Sequence, residues 1–250
     1  MNFATSFARA GLLLSQAAEV TEEQAGFWAK LYEAAIGDGN WKLYLGGIVN
    51  TLIITVLALV LGVLIGVFIA LVKTQYRTTG RLKILNAICS LYTTVIRGTP
   101  VVVQLLIIYF MLFATAPAES KVLIAALSFG INSGAYVSEI IRAGIQSIDP
   151  GQTEAGRSLG LTHGQTMRLI VLPQAVRNIL PALFNEMISL LKETSVAGFI
   201  GLTDITYAGD MVRSRTWTFH PFLVSAMIYL VIVISLTQVQ KVMERRLATR

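Results

Sequence analysis

The sequence predicts an all-α integral membrane protein with about five transmembrane helices. Three observations carry that expectation. Mean hydropathy is +0.67. Only 14% of the residues are charged, where soluble domains carry about 25%. The uncharged residues also fall in blocks, at 43–72, 98–118 and 216–240, each long enough to cross a hydrocarbon core that needs roughly 20 apolar residues as a helix.

Residues 1–43 read as a polar N-terminal extension on the extracytoplasmic side. Within it, residues 17–36 fit either an amphipathic helix at the membrane surface or a loosely ordered segment. The acids Glu19, Glu22 and Glu23 after a very short apolar stretch argue against a signal peptide. A transmembrane domain then occupies residues 44–245. Its first span, 44–72, contains Gly62 and Gly66 at the spacing that lets helices approach closely, although membrane helices also tolerate glycine without such a role. A basic loop with Lys73, Arg77, Arg81 and Lys83 follows. The second span, 84–114, is too long for one straight crossing. Arg97, Gly98, Thr99 and Pro100 interrupt it, because proline lacks a backbone donor and disfavours helix geometry in the residue before it.

The third span, 121–147, is rich in small residues and carries Ser138, Glu139 and Arg142 near one end. The fourth, 179–201, is the least apolar, since Glu186, Lys192 and Glu193 fall inside it. Residues 202–220 form a loop or short helix, and the fifth span covers 221–240. Lys and Arg set the orientation. Eleven lie on the side holding loop 73–83, segment 149–178 and the tail, and six on the other. The C-terminus is therefore expected inside and the N-terminus outside. The formal charge of +6 reflects this retention rather than nucleic-acid binding.

Between the third and fourth spans, residues 149–178 read as two short helices. Asp149 before Pro150 is a helix start. Gly160 is a stop. Thr162 and Gln165 fit a capping box that opens a second helix, expected to end before Pro173. This gives a compact cytoplasmic knob.

The spacing within the knob is specific. Glu154, Ala155 and Gly156 are followed after three residues by Gly160. After nine more residues come Ile170, Val171, Leu172 and Pro173. This resembles the EAA loop of ATP-binding-cassette importer permeases, with Gly156 in place of the usual alanine. Further stretches are similar to the polar amino-acid permease group, of the histidine, glutamine and arginine type: Asn50-Thr51-Leu52, Ile96 to Pro100, Ala135 to Arg142, and Leu191 to Ser195. The likeness covers roughly residues 45–245.

The resemblance implies the type I permease fold of these importers, in a bacterial plasma membrane. It implies a loop that docks on a separate cytoplasmic ATPase, which alone binds ATP, and an extracytoplasmic solute-binding protein that delivers a polar amino acid. It also implies a second permease subunit, and leaves open whether that is a copy or a relative. Glu154, Ala155, Gly156, Gly160, Ile170, Leu172 and Pro173 would carry the coupling.

The residues themselves suggest a path or gate. Asn185, Glu186, Ser189 and Glu193 recur at helical spacing as one polar stripe, with Lys192 near its end. Ser138, Glu139 and Arg142 share a face, and the break at Arg97 to Pro100 frees backbone groups. Polar groups at membrane depth face a cavity or a partner. The alternative is structural ion pairs, Glu139 with Arg142 and Glu186 with Lys192. A basic amino acid stands only slightly ahead of glutamine or another polar one.

Rival functions are weaker. Two histidines, His163 and His220, and one cysteine, Cys89, offer no catalytic constellation, cofactor site or metal-ligand spacing. No phosphate-binding loop is present. A channel without transport coupling, or a sensor or scaffold subunit, would not need the knob.

Overall fold

The computed structural model describes residues 26–248. Expectations for residues 1–25, and for Arg250 in the tail, fall outside the described residues. Among those described, the chain is helical. Helix α1 covers 26–36. The others are α2 (Asn40–Thr79), α3 (Lys83–Arg97), α4 (Val101–Ile107), α5 (Lys121–Gln146), α6 (Pro150–Ser158), α7 (His163–Thr166), α8 (Leu172–Glu193), α9 (Ile205–Thr216) and α10 (His220–Ala248). Among the described residues, four helical stretches are long and apolar enough to cross a membrane, and the bent pair α3–α4 makes up to five.

The α2–α5 pair is the spine of the fold. Glycines at the crossing explain how close it is. A Cβ on Gly62 would sit 2.8 Å from Ser133 Oγ, and one on Gly66 2.5 Å from Val137 Cγ1. In return, a Cβ on Gly134 would sit 2.6 Å from Ile65 Cγ2. Small residues at four-residue spacing on both helices thus replace the driving force that lipid does not supply. Next to this seam lies the core, with Ile54 and Ala58 of α2, Leu105 of α4, Phe129 of α5 and Leu190 of α8. On the outer surface of α2, Val56, Val60, Leu64 and Leu71 are exposed, as are Leu230 and Val231 of α10. Such apolar exposure suits a hydrocarbon solvent rather than water.

Helix α2 is longer than its uncharged run. Forty residues make a rod of about 60 Å, twice the roughly 30 Å hydrocarbon core. The expected basic loop is therefore largely helix. Lys73 and Arg77 lie on α2, and the turn itself is short, beginning where Gly80 takes φ +69°. At the other end, α2 meets α1 through a tight turn, Gly37–Gly39, with Asp38 at φ +50° and Gly39 at φ +74°. Helix α1 packs on the fold through Ala34, which clusters with Val212 of α9 and Val224 of α10.

One boundary is corrected. The helix opened by Thr162 does not end before Pro173. It passes through a wide turn, Met167–Val171, directly into α8. In that turn the Leu172 N–H bonds to Met167 O, five residues back. A proline ring normally collides with the carbonyl four residues earlier, and the wider π-type turn removes that constraint. The fourth span accordingly begins at the knob and not at residue 179.

Candidate functional site

The knob is built by its caps. Asp149 accepts a hydrogen bond from the Gly151 N–H at 2.7 Å, with Pro150 at the first helical position. Helix α6 closes with paired bonds, Leu161 N–H to Gly156 O at 3.1 Å and Gly160 N–H to Arg157 O at 3.0 Å. That closure requires the φ of +84° that Gly160 supplies. Thr162 and Gln165 form the reciprocal capping box.

Gly156 is the buried residue of α6, and a Cβ there would lie 2.7 Å from Thr166 Cγ2 and 2.9 Å from Ile170 Cδ1. Thr166 is fully buried, with its hydroxyl on Thr162 O at 3.0 Å. Glycine in place of the usual alanine therefore lets α6 rest directly on the second helix. Glu154 and Ala155 point away from this contact and are exposed. Leu172 and Pro173 are also exposed, Ile170 is half-buried, and Gln174 Nε2 reaches Gln152 Oε1 at 3.2 Å across the knob. Asn178 Nδ2 donates to Ser147 Oγ at 2.8 Å, which ties the base of the knob to the end of α5.

Above the knob, Glu139 bridges two cations. Its Oε2 is 2.7 Å from Arg142 Nε, and its Oε1 is 3.2 Å from Lys73 Nζ. Lys73 also donates to Thr93 Oγ1 at 3.2 Å. The Glu139–Arg142 pair is thus part of a clasp joining α2, α3 and α5. Ser138 is fully buried and donates to Ala135 O at 2.8 Å. Lys73 could not be assigned to this clasp from sequence, because it reads as the first cation of a loop.

The break between α3 and α4 bends the chain by 109°. Its freed carbonyls are not left open. Gln104 Nε2 donates to Ile96 O at 2.8 Å and Thr99 O at 3.1 Å, and its Oε1 accepts from Asn132 Nδ2 of α5 at 3.0 Å. Sequence reasoning missed Gln104 and Asn132. The available signal was an amide inside the uncharged run 98–118. Arg97, Gly98, Thr99 and Pro100 are exposed, with the Arg97 guanidinium 5.6 Å from the Tyr136 ring centroid.

On α8 the predicted stripe is only partly assembled. Glu186 accepts from Ser133 Oγ of α5 at 2.9 Å. Among the described residues it forms no ion pair with Lys192, so that structural pairing is not found. Asn185 and Lys192 are exposed, and Ser189 and Glu193 half-buried. Beyond α8, Asp204 is fully buried and caps α9. It accepts from Thr206 N at 2.9 Å, Tyr207 N at 3.0 Å and Tyr229 Oη at 3.1 Å. Burial pushes its carboxyl above the usual carboxylate range, against those donors. No group of three or more metal-ligating side chains occurs among the described residues.

The sequence pattern of the family described as "Binding-protein-dependent transport system inner membrane component" matches residues 62–249. The chain is 43% identical to the arginine transport system permease protein ArtQ of Bacillus subtilis over 162 residues, 64% of this chain and 74% of that protein. It is 36% identical to the L-cystine transport system permease protein TcyB of Bacillus subtilis over 209 residues, 83% of this chain and 87% of that protein. Among solved structures, it is similar to an amino acid ABC transporter crystallised with histidines. That match has a TM-score of 0.76 and 44% identity, covering 82% of this chain and 94% of that one. The MetNI methionine ABC transporter, at 17% identity and a TM-score of 0.72, shares the fold.

Proposed function

The chain belongs to the family of binding-protein-dependent transport system inner membrane components, and we propose that α8 lines the path of a polar amino acid while the α6–α7 knob docks on the ATPase. The protein is the permease subunit of an amino-acid ABC importer. It is a multi-pass inner-membrane protein and not an enzyme, and the ATPase of such a system is a separate subunit.

The observation that carries the path is Glu186. It is a half-buried carboxylate at span depth whose bond is to a neutral hydroxyl, Ser133, rather than to a cation. A charge at that depth is expensive unless it serves a cavity or a ligand. With Asn185, Ser189 and Glu193 on the same helix, it offers acceptors to an α-ammonium or a basic side chain. The relatives named as arginine and L-cystine transport system permeases are consistent with a polar amino acid.

The exposed break at Arg97 to Pro100 forms a rim of the path. Glu139 and Arg142, held in their clasp with Lys73, brace the cytoplasmic gate. The knob receives the ATPase through Glu154 and Ala155, which Gly156 and Gly160 hold clear of the second helix. An extracytoplasmic solute-binding protein delivers substrate, and a second permease subunit, copy or relative, completes the path. The N-terminus lies outside and the C-terminus inside.

The test is Glu186→Gln in a complex shown to be fully assembled. A charge-assisted hydrogen bond is worth about 1.5–3 kcal/mol, so apparent substrate affinity in uptake should weaken by at least about tenfold. Unchanged affinity and selectivity would remove Glu186 from the path.

A further inference from the structure

We propose that the hairpin joining α2 to α3 is a binding site for an anionic phospholipid. Its phosphate would be held by Arg77, Arg81 and Lys83, and an acyl chain would lie along α3. The uncharged run of α2 ends at Val72, so the residues that follow stand at headgroup level. Lys73, the first cation, is engaged by Glu139. The next three are not. Arg77, Arg81 and Lys83 are exposed and form no ion pair among the described residues. No acidic residue lies between Asp38 and Glu119 to offset them.

Lys83 itself, with Gly80, Leu82, Ile84, Leu85 and Ile88, lines an open groove of about 520 Å³, and Arg81 stands in the chain between two of its lining residues. The groove runs into an apolar stripe on α3. Ile84, Ile88, Leu91 and Val95 recur at helical spacing and are 79%, 58%, 65% and 50% exposed. The opposite face of α3 is already used, through Cys89 against Ile69 and Val72 of α2. Charge complementarity selects the occupant. A second copy of this chain would bring the same three cations, whereas a phospholipid supplies phosphate and hydrocarbon across the same boundary. Basic pockets beside membrane helices hold anionic headgroups for this reason.

The experiment uses the intact importer complex, equilibrated with vesicles of equal phosphatidylglycerol and phosphatidylcholine and read by native mass spectrometry. Phosphatidylglycerol should be retained preferentially, and excess inorganic phosphate should not displace it. Each cation removed in the series Arg77→Gln, Arg81→Gln, Lys83→Gln should weaken retention about fivefold. Ile84→Ser with Ile88→Ser should weaken it as well, which separates a built site from diffuse attraction. On the unmodified complex, a photoactivatable acyl chain on phosphatidylglycerol should crosslink within 84–95. Equal retention of both lipids, displacement by phosphate, insensitivity to either set of substitutions, or crosslinks confined elsewhere would overturn the site.

Discussion

At the scale of single residues, the decisive positions are those where one atom more or less changes the packing. Gly66 is the clearest. An added Cβ would meet Val137 Cγ1 at 2.5 Å and the Ser138 backbone N at 2.9 Å, and backbone cannot rotate away. Gly66→Val should therefore destabilise the protein by about 1–3 kcal/mol through overpacking, read as a lower thermal midpoint of the solubilised protein. Gly46, on the same helix, has no atom within 4 Å of a built Cβ. Gly46→Ala should be neutral or stabilising by up to about 1 kcal/mol. Equal midpoints for Gly66→Val and the parent would contradict the close α2–α5 crossing. The small-residue spacing of Gly62 and Gly66 was legible in the sequence, but its partner on α5 was not. Ser133, Gly134 and Val137 lie too far along the chain for any local pattern to pair them. The same distance hid Lys73 from Glu139, 66 residues away.

At the scale of elements, proline and glycine punctuation located the breaks but not their geometry. Pro100 marked the interruption of the second span. The 109° bend is fixed by Gln104 and Asn132, which are 28 residues apart and meet only in the folded chain. In Gln104→Leu the Ile96 and Thr99 carbonyls lose their donor, and the buried Asn132 amide loses its acceptor, in a site where no lipid can replace it. Each buried unsatisfied group costs about 1–3 kcal/mol. Spin labels at the exposed positions Ile88 and Phe110 should then show a broadened distance distribution by electron paramagnetic resonance. An unchanged narrow distribution would mean that the bend is held by other contacts. The opposite lesson comes from Pro173, where the ordinary rule failed. A one-residue widening of the turn at Met167–Val171 lets the helix continue, and nothing in the residue types announces it. The caps at Asp149, Gly160 and Thr162 were readable because capping depends on residues within a few positions of each other.

At the scale of the whole molecule, run length and charge asymmetry gave the class of protein, because bilayer thickness and cytoplasmic Lys and Arg retention act on the chain directly. Orientation is checked by thiol labelling in a Cys89→Ser background. A cysteine replacing Ala118 should react with an impermeant reagent added to intact cells, and one replacing Gln165 should not. Labelling at 165 alone would invert the topology. What the sequence could not supply is the setting of the polar stripe on α8, where Asn185 and Lys192 are exposed in the single chain. In the proposed function the α6–α7 knob transmits ATP hydrolysis to the spans. Gly160→Val tests it most directly, because a Cβ there meets no atom within 4 Å and acts only through the φ of +84°. Left-handed geometry costs a branched side chain at least about 1–2 kcal/mol. In proteoliposomes holding the whole complex and its binding protein, the variant should insert normally, with uptake lost or uncoupled from ATP hydrolysis. Uptake and ATPase rates equal to those of the parent would contradict it.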